Sequence, residues 1–149
     1  MTAKKVFLDA SALIAAVHSQ TSGARVILKL GEAGAVQLWV GPWVLREIEN
    51  VLARKAPQSK THFALLLDRA KVSIVGEAKA GALETARAVV DYLPDAQVLA
   101  EAMAAEVDYF VSLDRKHLVG NPRGGRLPFP MGTPGDFLAW YRAQVSGEG

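Results

Sequence analysis

At 149 residues, with 50% apolar and 21% charged side chains, the chain has the size and composition of one globular domain rather than a disordered segment. Seventeen basic against fifteen acidic side chains leave a net charge of +2, too mild to mark a nucleic-acid-binding protein by charge alone. With no cysteine, a disulfide scaffold, a Cys-ligated zinc site and a thiol nucleophile are excluded.

The chain opens on Lys5-Val-Phe-Leu-Asp9, a short apolar run ending in an acid, which predicts a buried strand. Asp9 also interrupts the apolar stretch behind Lys4 and Lys5, so a signal peptide is not expected. No run reaches 18 apolar residues, so no membrane span is expected either, and the chain is read as cytoplasmic. Helices follow over 10–19 and 24–32, then a strand over Val36–Val40. Pro42 suits the first turn of a helix reaching Lys55, which Pro57 stops. A helix over 61–70, a strand over 71–75 and a helix over 82–90 come next. Pro94 opens a helix over 95–106, and 108–113 is the clearest strand of all. A Gly/Arg loop over 121–125 leads to a short edge strand over 127–131, interrupted by two prolines. Thr133-Pro-Gly-Asp136 has the pattern of a helix cap opening 137–145. Alternating strands and helices predict an α/β domain with a mainly parallel sheet, spanning residues 1–145, with 146–149 as a frayed tail.

Ligands of open parallel sheets bind beyond the carboxyl ends of the strands. Asp9 and Asp114 both end predicted strands. Asp95 starts a helix and shares its apolar stripe with Val98, Leu99 and Ala102. Glu47 lies in a helix beside Trp43, Val44 and Val51, while Glu49 has Leu45 and Leu52 as neighbours, so periodicity barely separates the two. Taken singly, each acid reads equally as a turn residue, a cap or a solvated flank. Taken together, they occupy positions where an apolar residue would be the cheaper choice, and an unpaired buried carboxylate costs several kcal/mol. Clustered carboxylates call for a cation, and oxygen donors favour Mg²⁺ or Mn²⁺ over zinc.

Five segments carry a resemblance to the PIN-domain ribonucleases, in its VapC-like toxin–antitoxin subgroup. Val6-Phe-Leu-Asp9-Ala-Ser11 resembles the first strand with its aspartate. Val44-Leu-Arg-Glu47 is similar to the helix bearing the family's glutamate, and Pro94-Asp95 to the segment bearing the third acid. Asp108-Tyr-Phe-Val-Ser112-Leu-Asp114 resembles the strand that ends in Ser/Thr-x-Asp, and Thr133-Pro-Gly-Asp-Phe-Leu138 the start of the last helix. Leu113 departs from the Gly or Asn common beside that last aspartate. The resemblance implies a three-layer α/β/α domain, a sheet of about five short strands in the order 3-2-1-4-5, and Glu47 rather than Glu49 in the site. It further implies Mg²⁺ or Mn²⁺ as cofactor, in one or two ions, held by Asp9, Asp95 and Asp114 with Glu47 orienting it or its water. Cleavage of single-stranded RNA would leave a 5′-phosphate and a 3′-hydroxyl, and the partners implied are a cognate antitoxin and a second copy of the chain.

Around that core, Ser11 and Ser112 are expected to support the carboxylates through their hydroxyls. Arg115, Lys116, Arg123 and Arg126 follow Asp114 and are candidates for RNA phosphates. His117, three residues after Asp114, could meet the metal or a phosphate, but is read as a surface histidine at the start of a short helix. A toxin endoribonuclease is therefore the leading reading. A housekeeping RNA-processing nuclease is the alternative, and a non-catalytic PIN-like scaffold is disfavoured by the retention of all four acids. A haloacid-dehalogenase-like reading of Phe7-Leu-Asp9 fails for want of the second aspartate of Asp-x-Asp.

Overall fold

A computed structural model describes residues 3–147. Five parallel strands form one sheet: β1 (Lys4–Leu8), β2 (Val36–Val40), β3 (Ser73–Ile74), β4 (Tyr109–Val111) and β5 (Met131–Gly132). Their order is β3-β2-β1-β4-β5, so β1 pairs with β2 on one side and β4 on the other. The chain leaves β1 first toward β2 and only later returns to place β4 at its other edge. That reversal makes the carboxyl ends of β1 and β4 the switch point of the sheet, where a crevice opens.

Among the described residues, seven α-helices flank the sheet: α1 (Ala10–His18), α2 (Gly23–Glu32), α3 (Pro42–Lys55), α4 (Lys60–Arg69), α5 (Ala80–Arg87), α6 (Leu93–Ala105) and α7 (Pro134–Gly147). The central strands are buried on both faces, as parallel strands covered by helices must be. Alternation along β4 divides its aromatic side chains. Tyr109 packs edge-on to Phe137 of α7, at 5.2 Å between ring centroids. Phe110 points to the opposite face and stacks on its registered partner Phe7 at 5.4 Å and on Phe129 at 5.8 Å.

The predicted elements are all present, with shifts at their ends. The last strand is not at 127–131 but at Met131–Gly132. Pro128 and Pro130 have no N–H to give a ladder, so that stretch stays irregular while Leu127 and Phe129 are buried from it. The backbone oxygen of Pro130 still accepts from Phe110 N–H at 3.0 Å. The predicted cap of α7 closes in both directions: Asp136 N–H donates to Thr133 Oγ1 at 3.1 Å, and Thr133 N–H to Asp136 Oδ2 at 2.9 Å. α7 runs on to Gly147, through the first half of the expected tail; residues 148–149 lie outside the described residues. Among the described residues, no helix is long and apolar enough to cross a membrane.

Candidate metal centre and nucleic-acid clefts

Asp9 follows β1 directly and is the N-cap of α1, its carboxylate accepting from Ala12 N–H at 3.3 Å. It is the most enclosed of the four acids, 8% exposed. Two serine hydroxyls hold it: Ser11 Oγ donates to Oδ1 at 2.5 Å and Ser112 Oγ to Oδ2 at 2.6 Å. Each hydroxyl also accepts from the loop beyond β4, Ser11 from Leu113 N–H at 2.9 Å and Ser112 from Asp114 N–H at 3.0 Å. The two serines thus lock the end of β1 to the end of β4, and fix where Asp114 begins. Burial pushes the Asp9 carboxyl up, and the serine hydroxyls oppose it by favouring the charged form.

Asp114 opens a turn rather than a helix. Its Oδ1 accepts from Lys116 N–H at 3.0 Å and His117 N–H at 2.9 Å. This folds the chain back, and His117 Nδ1 comes to 3.3 Å from Asp114 Oδ2. The histidine predicted to start a surface helix is therefore half-exposed in a turn and joined to the site. Asp95, in the first turn of α6, approaches from the other side. One ligand atom each from Asp95, Asp114 and His117 lies within 4.8 Å of the others.

That group takes in neither Asp9 nor Glu47, which stands on α3, a helix that buries Val44, Ile48 and Leu52. Its carboxyl is pushed up by partial burial, then by the charges of Asp9 and Asp95. Asp95 is raised likewise, by burial first and then by Asp114 and Asp9, with His117 pulling the other way. Glu47 and Asp95 therefore feel the charges of the other acids, which come from four segments of the chain. The sequence suggested that all four are buried. Only Asp9 is; Asp95 and Asp114 are half-buried and Glu47 is exposed on the crevice rim.

Two clefts meet at Asp95. The larger, 480 Å³, is lined by Arg115, Lys116, His117 and Arg123 together with Asp91 and Asn121. Arg123 is anchored there, Nη1 donating to the Ala88 carbonyl at 3.3 Å and Nη2 3.9 Å from Asp91. Arg126 sits in the 3-10 turn over Gly124–Arg126 and lines neither cleft. The smaller cleft, 250 Å³, lies between α3 and α6 and includes Glu47, while Glu49 lines neither.

The sequence reading missed Glu101. It sits among the buried residues of α6, 4% exposed, and accepts from Trp43 N–H at 3.3 and 3.2 Å. It thereby supplies the side-chain cap that Gly41 cannot give α3. Gly41 is required here, because a Cβ would overlap the Glu101 carboxylate. Burial raises the Glu101 carboxyl to about 7 against the pull of the Trp43 N–H and Arg46. An acid inside the wholly apolar run Val98 to Ala105 was the available signal.

A family model described as PIN domain matches residues 5–116, the stretch that holds all four acids. No curated protein matches the chain in sequence. Among solved structures, it is similar to VapBC2 from Rickettsia felis, solved bound to a DNA fragment from the promoter. The TM-score is 0.63 and the identity 14%, over 87% of this chain and 98% of that one. It is also similar to PAE2754 from Pyrobaculum aerophilum, with a TM-score of 0.61 and 19% identity over 96% of this chain and 94% of that one. At these identities the likeness is one of fold.

Proposed function

The chain belongs to the PIN-domain family, and from that premise we propose that it is a divalent-metal-dependent endoribonuclease acting on single-stranded RNA. The observation that carries this reading is the meeting of Asp9, Glu47, Asp95 and Asp114 at the switch point of the sheet, close enough that the charges of Asp9 and Asp95 push the Glu47 carboxyl up and those of Asp114 and Asp9 push up Asp95. Their donor set fits Mg²⁺ or Mn²⁺: carboxylate oxygens, one imidazole and no thiolate. Asp9, Asp95 and Asp114 would hold the ion, with His117 within reach as a further ligand and Glu47 facing them. When bound there, a divalent ion lowers the pKa of water and neutralises charge on the leaving oxygen.

The remaining roles belong to the chain. Ser11 and Ser112 hold the Asp9 carboxylate in one orientation and favour its charged form against the burial that pushes its pKa up. Glu47 orients the attacking water. Arg115, Lys116 and Arg123 bind phosphates along the larger cleft. Arg126 belongs with them as a phosphate contact only if the RNA extends past that cleft. Hydrolysis leaves a 5′-phosphate and a 3′-hydroxyl. A metal-titrated cleavage assay on single-stranded RNA tests the reading. Cleavage that requires Mn²⁺ or Mg²⁺ and disappears in Asp9→Asn supports it, and metal-independent cleavage or none refutes it.

The same reading makes the chain the toxin of a cytoplasmic toxin–antitoxin pair, held by a cognate antitoxin and assembled as a homodimer. The fold likeness to VapBC2 supports this. Exposed Leu65 on α4 is consistent with the dimer. Induction that arrests growth only when Asp9 is intact, with rescue by a neighbouring gene product, tests the toxin role.

A further inference from the structure

The two clefts that meet at Asp95 are chemically different. The larger carries three cations, Arg115, Lys116 and Arg123, beside a wall of Val89, Val90, Tyr92 and Pro122. The smaller is built on one face of α3, where Arg46, Asn50 and Arg54 recur every four residues and so stand in line along the helix. Its floor is apolar: Val51, Pro94 and Val98. The Arg46 guanidinium lies over the Trp43 ring, 5.0 Å from its centroid.

A guanidinium seated on an indole is a stacking platform, and every nucleobase has a π face to lay against it. Asn50 offers both a donor and an acceptor at the platform's side. Glu47 and Asp95 form the end of this cleft nearest the other acids. A strand whose scissile phosphate sits at the carboxylates must therefore place a neighbouring nucleotide here. A 250 Å³ cavity suits one planar base, not a peptide helix about 10 Å across.

We infer that the α3 cleft is a nucleobase subsite, holding the base next to the scissile phosphate against the Trp43–Arg46 pair with Asn50 at its edge. On the opposite side of Asp95 the strand is held by its phosphates, through Arg115, Lys116 and Arg123. This rests on the ribonuclease reading. It divides RNA affinity into a part that needs bases and resists salt, and a part that needs phosphates and falls with salt.

The test measures binding of two labelled 12-mers in Ca²⁺, one mixed-sequence single-stranded RNA and one abasic ribose-phosphate chain of the same length, across a salt series. Arg46→Ala is expected to bind the RNA about tenfold more weakly and the abasic chain as the wild type does. Trp43→Leu, which keeps apolar bulk but removes the π face, should give the same pattern with a near-wild-type melting temperature. Arg115→Ala with Lys116→Ala should weaken both ligands and make the salt slope shallower by about 1.4, the value for two phosphates on a single strand. If Arg46→Ala binds RNA as the wild type does, or keeps the preference for bases while losing one phosphate's worth of salt slope, the subsite is refuted and the ribonuclease reading stands. A wild type that binds neither ligand overturns that reading, and the subsite with it.

Discussion

Asp9 and the Asp95–Asp114–His117 rim face the same crevice, yet they are built in opposite ways. Asp9 is enclosed, capped onto α1 and tied by two hydroxyls that also hold the neighbouring loop. The rim comes from a helix start and a turn, and its groups face solvent: the His117 side chain is 54% exposed and that of Asp114 29%. One side is fixed by the core before any ion arrives. The other brings its donors within 4.8 Å on solvent-facing side chains, where an ion could still draw them together. Rigidity on one side and adjustability on the other would let a single fixed carboxylate set the ion's position, while the rim sets which ion and how tightly.

The sharpest way to break this contrast is at the fixed side. Asp9→Asn should abolish measurable cleavage, while its melting temperature without metal equals or exceeds that of the wild type, since a buried, crowded charge is removed. Millimolar Mn²⁺ should raise the melting temperature of the wild type and scarcely move that of Asp9→Asn or Asp114→Asn. The raised pKa values of Asp9, Glu47 and Asp95 fix the accompanying pH trend. Without metal, the fold binds more protons than the unfolded chain just above the ordinary carboxylate range, so stability falls as pH rises through that window. Mn²⁺ should flatten or reverse that slope. Glu47→Gln should also be inactive and Glu49→Gln active to within about tenfold, as expected of a surface change.

One step outward, Ser112→Ala removes a fully buried hydroxyl from Asp9 and from Asp114 N–H together. Metal affinity should fall about 10–100-fold, the usual cost of losing a group that orients a ligand. The pH at which metal binding is half-maximal should also move upward, because that hydroxyl favours the ionised form. A merely structural serine would lower the melting temperature and leave that midpoint unmoved. On the adjustable side, His117→Ala should weaken Mn²⁺ about tenfold and Mg²⁺ less, since imidazole suits transition metals and Mg²⁺ prefers oxygen. Equal losses for both ions would mean that His117 acts through Asp114 and not as a ligand.

The contrast also explains what the sequence could reveal. Asp9 was legible because an acid closing an apolar strand is unusual, and because Ser11 and Ser112 lie two residues from the two strand-end acids. The strand order is not in the periodicity at all; it came with the family resemblance. Glu47 was ambiguous for a geometric reason. It borders the buried row Val44–Ile48–Leu52 without belonging to it, so its neighbours are as apolar as those of Glu49. The turn at His117 was taken for a helix start because it depends on Asp114 capping it, and Asp-x-x-His has no strong helix or strand signature. The last strand was displaced because Leu127 and Phe129 carry the apolar signal of a strand that their neighbouring prolines cannot pair.

Glu101 gives the smallest effect and the cleanest sign. Its carboxyl lies near 7 in the fold against an ordinary value of 4.5, so the native protein holds a proton that the unfolded chain releases between those limits. This group's contribution is therefore largest below pH 4.5, declines as pH rises to about 7, and is flat above. Glu101→Gln keeps an oxygen for the Trp43 N–H and cannot ionise, so it should lose that part of the decline and match or exceed the wild type at pH 8. Glu101→Ala should be less stable at every pH, by about 1–3 kcal/mol, because it leaves the Trp43 N–H without its acceptor. The difference between the wild-type and Glu101→Gln curves, measured by urea unfolding at pH 5, 6, 7 and 8, isolates this acid from those of the crevice. Parallel curves would mean that Glu101 is ionised at neutral pH and that Trp43 N–H and Arg46 outweigh its burial. In that case the charge itself, and not only the oxygen, would hold the start of the helix that carries Glu47.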